Sequence, residues 1–166
     1  MGLFDLFKGS AKTDERTPRP KVNAASKWAD RMEKRAQNYD RQEAIGVLSE
    51  MGTSDAVSVL LKRFTYHMDP SITDQEEKDA AFRGILRAGR EAIGPVRAFA
   101  EKKAESLAWP MKMAKEILPE EEYVGELLQW LSRWDTEYSK FVEPKVQILV
   151  ALEEHRDPRI RDAVER

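Results

Sequence analysis

The chain has 166 residues, 41% of them aliphatic or aromatic and 35% charged, with 28 basic against 30 acidic side chains and a net charge of -2. That length supports one domain with a sizeable core, and the interleaving of the two charge signs excludes a sequence-independent grip on nucleic acid by the chain as a whole. Cysteine is absent, which excludes disulfides, thiolate nucleophiles and Cys-ligated metal and fits a reducing compartment, so cytoplasmic residence is expected.

In chain order, residues 1–26 read as a flexible tail and linker, and 27–166 as the folded part. Leu3, Phe4, Leu6 and Phe7 form a short apolar segment, too short for a secretory core. It reads either as a frayed cap or as a docking peptide for a groove or a membrane surface, with Phe4 and Phe7 as the candidate anchors. Leu6 stands where a myristoylation signal needs Ser or Thr. Residues 8–26 mix charges with Gly9, Pro18 and Pro20 and bury too little to offset ordering entropy. Residues 1–41 carry ten Lys or Arg against six Asp or Glu, which reads by default as a solvated tail, with weak attraction to an anionic surface as the alternative.

Trp28, Met32 and Tyr39 open a helical stripe, and amphipathic segments then alternate with breaks. Gly52-Thr53-Ser54, Asp69-Pro70-Ser71, Gly89-Arg90, Leu118-Pro119, Asp135-Thr136 and Arg156-Asp157-Pro158 each supply a stop, an N-cap or a first-turn proline. Long alternating β-branched runs are missing, so the expected fold is all-α, built of antiparallel helix pairs. No run approaches the ~20 apolar residues that span a bilayer.

Internal similarity sharpens this. A shift of 37 residues places Ile45 on Phe82, Leu48 on Ile85, Gly52 on Gly89, Ala56 on Ile93 and Val59 on Val96. A shift of 104 places Ile45 on Leu149, Leu48 on Leu152, Ala56 on Ile160 and Val59 on Ala163. A middle unit matches less well, because Glu116 and Gly125 fall where apolar side chains are expected. In such repeats each hairpin leaves an apolar face that the next one covers. The run Arg41-Gln-Glu-Ala44-Ile45-Gly-Val-Leu48-x-x-Met51-Gly52-x-x-Asp55-Ala56-Val57-x-x-Leu60-Leu61 resembles the HEAT-like repeats of bacterial proteins. Asp157-Pro158-Arg159-Ile160-Arg161, followed by Ala163-Val164, resembles that family's Asp-Pro-x-Val-Arg signature. The resemblance covers residues 40–166 and implies an α-α superhelix. The last amphipathic segment stops at Arg166 without a cap, so a longer natural chain or a covering neighbour is expected.

Catalytic and metal-binding residues are not expected. His67 and His155 stand far apart and read as helix C-terminal residues favoured by the macrodipole. Glu76-Glu77 and Glu120-Glu121-Glu122 read as helix starts, where unsatisfied amides stabilise negative charge, rather than as an acid–base pair. Gly46, Gly84 and Gly125 lie inside helices and imply close helix–helix approach. No phosphate-cradling loop or nucleophile elbow appears, and no cofactor is expected.

The unusual feature is Trp130, Trp134 and Tyr138 at four-residue spacing beside Arg133, residue types that dominate binding hot spots. They read either as core filler or as a recognition surface. The expectation is a scaffold that holds another protein through Trp130, Arg133, Trp134 and Tyr138. Two alternatives follow from the family resemblance: a nucleic-acid-binding member of glycosylase-like architecture, disfavoured by the acidic pI of about 5.8, and an accessory of the tetrapyrrole-attaching lyase type.

Overall fold

The computed structural model describes residues 23–102, 107–134 and 142–165. Phe4, Phe7 and Tyr138 lie outside these. Among the described residues there are eight α-helices and no strand: α1 (Asn38–Met51), α2 (Ser54–Leu60), α3 (Ser71–Arg87), α4 (Ile93–Lys102), α5 (Ala108–Ile117), α6 (Glu120–Trp134), α7 (Glu143–Leu152) and α8 (Pro158–Val164). The protein is all-α, and no described helix is long and apolar enough to cross a membrane.

Local chemistry sets the boundaries. Gly52 and Gly89 both adopt left-handed conformations, with φ of 58° and 56°, and they are the pair that the 37-residue shift superposes. A side chain at φ > 0 costs roughly 1–2 kcal/mol, so glycine is required where α1 and α3 reverse direction. The Thr53 hydroxyl caps α2 by accepting from Ala56 N–H at 3.2 Å, and the Asp157 carboxylate caps α8 by accepting from Arg159 N–H at 2.9 Å. Five of the six breaks read from the sequence bound helices, and the sixth, Asp135-Thr136, lies outside the described residues.

Two other boundaries carry signals that the sequence reading passed over. Pro110 stands in the first turn of α5 and Pro144 in the first turn of α7, where a missing N–H and a fixed φ are tolerated. The entry to the fold also differs from the expected stripe. Ser26–Trp28 and Asp30–Met32 are 3-10 turns, Glu33 is extended, and α1 begins only at Asn38. Met32 is buried and Trp28 half-buried, whereas Tyr39 faces solvent. Ala25 is also buried, so the core begins inside the segment read as linker.

Packing links alternate helices. α1 contacts α3, α2 contacts α4, α3 contacts α5 and α4 contacts α6, in addition to the sequential pairs α1–α2, α4–α5, α5–α6 and α6–α7. The core runs through these layers from Met32, Leu48 and Leu60 through Ile85, Val96 and Met113 to Leu127, Ile148 and Leu152. Ala44, Ala81 and Ala114 recur as buried small residues where first helices meet. The step from Ala81 to Ala114 is shorter than that from Ala44 to Ala81, so a fixed 37-residue comb loses register in the middle unit.

Of the three glycines expected to mark close packing, only Gly84 serves close approach. A Cβ there would lie 2.0 Å from Ser49 Oγ and 2.8 Å from Ser49 Cβ, which places the α3 backbone directly on α1. Gly46 has nothing within 4 Å of that position, and Gly125 meets only Arg159 Nη1 at 3.7 Å, an ordinary contact. For those two, the expectation of close helix packing is corrected.

Candidate protein-binding surface

The candidate anchors predicted on α6 divide on structural grounds. Trp130 is only 1% exposed, because α4, α5 and α7 all pack around α6, so it fills the core and is not a surface anchor. Trp134, one turn further on, is half-buried against the same cluster, while Arg133 is exposed. The indole N–H groups of Trp130 and Trp134 have no hydrogen-bond partner. The four-residue aromatic spacing therefore marks an inward face of α6 over its described length. Trp109 packs likewise, in a cluster with Phe64 at 4.8 Å and Phe82 at 5.9 Å between ring centres, under the Lys112 ammonium.

A surface with binding character lies instead between α1 and α3. Gln42, Ile45, Glu76, Glu77 and Ala80 line an open cleft of about 290 Å³ between these helices. Tyr39 precedes Gln42 by three residues on α1 and is 75% exposed; Ile72 precedes Glu76 by four on α3 and is 70% exposed. Both apolar side chains thus flank the end of the cleft where the two helices begin. Large apolar residues held in water beside a cleft have the character of contact anchors, since burying each is worth roughly 1.5–3 kcal/mol.

Beneath the cleft lies a feature that sequence reasoning missed. Glu77, read as a helix-start residue, is buried and accepts from two buried guanidiniums: Arg41 Nε at 3.0 Å and Arg63 Nε at 2.7 Å. Arg63 Nη2 also donates to Asp74 Oδ1 at 2.8 Å, and Lys78 Nζ to Asp74 Oδ2 at 2.6 Å. Backbone groups satisfy much of the remainder. Arg41 donates to the Ala36 carbonyl, Arg63 to the Tyr66 carbonyl at 3.3 Å, and Met68 N–H to Asp74 Oδ1 at 3.1 Å. The Tyr66 hydroxyl closes the set on the Met32 carbonyl at 2.8 Å. Burial pushes the Asp74 carboxyl up, but its hydrogen bonds from Lys78 and Arg63 outweigh that and hold it at about 2. Burial raises the Tyr66 phenol.

Five ionisable side chains thus lock α1, the Leu61–Thr65 turn and α3 to one another, giving the cleft a rigid floor. A sequence signal for this existed: Arg41 falls on the same helix face as Ala44, Ile45 and Leu48, and Glu77 and Lys78 fall on that of Ala81 and Ile85. Charges on an apolar face are buried pairs or errors of phase, and only coordinates separate the two.

The histidines sit apart from each other, and His67 meets the edge of this floor, its Nδ1 3.5 Å from Asp74 Oδ2. His67 is exposed, two residues past the Leu61–Thr65 turn, with Nδ1 3.0 Å from Lys78 Nζ. His155 lies three residues past α7, its backbone N–H donating to the Leu152 carbonyl at 3.1 Å. Its Nδ1 lies 2.8 Å from Glu120 Oε1 and its ring meets Tyr123 edge-on. Burial, with a smaller contribution from the Glu154 charge, pushes the Tyr123 phenol up to about 12. The Glu120–Glu122 cluster does open α6, as read, and Glu122 pairs with Arg90, whose hydrogen bond lowers the Glu122 carboxyl.

Comparison with protein-family models, curated proteins and solved structures finds no match in any of the three.

Proposed function

We propose that the chain is a HEAT-like helical-repeat scaffold that acts by holding a segment of another protein in the α1–α3 cleft. The observation that carries this reading is the pairing of the cleft with Tyr39 and Ile72, two large apolar side chains exposed at one end of it. The ion cluster below supports it, because a preorganised floor reduces the ordering cost of binding.

The repeat reading rests on contacts that recur about one unit apart. Arg87 reaches Glu50 across 37 residues, Arg90 reaches Glu122 across 32, Lys115 reaches Glu154 across 39, and Arg159 reaches the Glu121 carbonyl across 38. Each joins one helix pair to the next, as stacked hairpins require. The chemistry of the cleft selects the occupant: apolar side chains for Tyr39, Ile45 and Ile72, with a cationic group near Glu76. An acidic rim repels the phosphate backbone, so nucleic acid is disfavoured there.

Affinity capture from the native host with the full chain, set beside a Tyr39→Asp/Ile72→Asp double variant, tests the reading. The captured protein should be lost with the variant while circular dichroism is unchanged; retention of the same protein would remove the cleft from consideration. Tight, salt-sensitive binding of duplex DNA by the unmodified chain would overturn the protein-scaffold reading itself.

A further inference from the structure

Helix α1 carries a second hollow besides the cleft. Glu43, Gly46, Val47, Glu50 and Met51 line a shallow recess of about 490 Å³. The 37-residue shift takes these positions to Ala80, Arg83, Gly84, Arg87 and Ala88, on α3 and its C-terminal cap. That side of α3 is the one turned to the preceding unit: Ala80 lines the cleft shared with α1, the backbone at Gly84 lies directly on Ser49, and Arg87 reaches Glu50 at 2.8 Å. By the same equivalence, the recess is the side of α1 on which an element preceding it in the row would pack.

The lining states what that element must offer. Glu50 is held by Arg87, and Glu43 by Arg31 of the Asp30–Met32 turn, so both carboxylates of the rim are already paired. Val47 and Met51 are half-buried, and nothing lies within 4 Å of where a Cβ on Gly46 would stand. Apolar side chains beside bare backbone select an apolar occupant over a charged one.

The chain itself supplies such a segment at the right end of the row. Ser26–Trp28 packs on α2 and Asp30–Met32 on α1, so the described residues start on this same unit. Among the 22 residues ahead of Asn23, the large apolar side chains other than proline are Met1, Leu3, Phe4, Leu6, Phe7 and Val22, and all but Val22 fall in the first seven positions. Residues 8–22 can reach about 50 Å when extended, more than twice the roughly 21 Å length of a 14-residue helix such as α1. We propose that residues 3–7 dock in this recess through Leu3, Phe4, Leu6 and Phe7 and cap the first unit from within the same chain. The recess and the α1–α3 cleft use different faces of α1, so this inference stands apart from the cleft's partner.

Disulfide trapping in the full chain tests it, since the sequence has no cysteine to compete. Under mild oxidation, Phe7→Cys or Phe4→Cys should close within one chain onto Val47→Cys about ten-fold or more faster than onto Gln42→Cys, which lines the cleft, because docking raises the local concentration at one site above that of a free tether. Replacing the remaining apolar side chains of residues 3–7 with serine should bring the Val47→Cys rate down to that of Gln42→Cys, with circular dichroism unchanged. Equal or faster closure onto Gln42→Cys, failure of both tail positions to close onto Val47→Cys, or a rate indifferent to the serine replacements overturns the inference. A disulfide that forms only between chains overturns it too, because a second copy would then be the occupant.

Discussion

Glu77 is the carboxylate that two buried guanidiniums share. Both of its oxygens are held by buried guanidiniums, and it lies where α1, α3 and the Leu61–Thr65 turn converge. Taking two charges out of water is costly, and their attraction offsets that cost only while every partner is present. Glu77→Gln leaves Arg41 and Arg63 without their shared counter-charge in the interior. Urea denaturation should report a loss of about 3–5 kcal/mol, against less than 1 kcal/mol for exposed Glu76→Gln. Asp74 adds a pH signature. Its folded value of about 2 lies below its ordinary 3.8, so its contribution is complete above pH ~4 and is lost as pH falls toward 2. Acid titration of stability should therefore be flatter for Asp74→Asn than for the unmodified chain across that window. A Tyr123→Phe variant carries the opposite sign: with the phenol at about 12, the unmodified chain should lose stability as pH rises from 10 to 12, and the variant should lose less, the raised Tyr66 phenol still contributing.

Among the elements, α1 and α3 approach most closely, and the reason is a single missing side chain. Gly84→Ala places a methyl group on Ser49, whose hydroxyl is itself bonded to the Ile45 carbonyl at 2.6 Å and has no free direction to yield. Thermal unfolding should show a loss of about 1–3 kcal/mol, and Ser49→Gly in the same chain should recover part of it; additive losses would show that the two sites are not in contact. How much of this was legible from the residues depends on their chemistry. Helix ends marked by glycine, proline or capping hydroxyls were readable because each leaves a backbone requirement that few residues meet. The aromatic face of Trp130 and Trp134 was not, because a four-residue period states that side chains share a face and says nothing of which way it points. Tyr39 and Ile72 were missed as cleft neighbours for a similar reason: single apolar residues near helix starts look like ordinary core until the neighbouring helix is placed. Arg41 and Glu77 lie 36 residues apart, and no local pattern joins them.

For the molecule as a whole, the distribution of buried side chains is uneven along the chain. α8 has no buried residue, whereas α1 and α3 each bury several and share the ion cluster. In a row of units stabilised mainly by nearest neighbours, the end with the least burial opens first. Native-state hydrogen exchange should show α8 amides exchanging through local opening and α1 and α3 amides only near the global limit. The even mixing of charge read from composition is real at the level of the surface, yet it concealed an interior that holds three cations and two anions together.

That interior has a bearing on how the chain can be divided. Arg41 belongs to the first helical unit, Glu77 and Lys78 to the second, and Arg63 and Asp74 flank the join between them. A fragment ending anywhere in the join strands at least one ion in oil without its mate, so any shortened or spliced version of the protein must inherit the stretch from Arg41 to Lys78 whole.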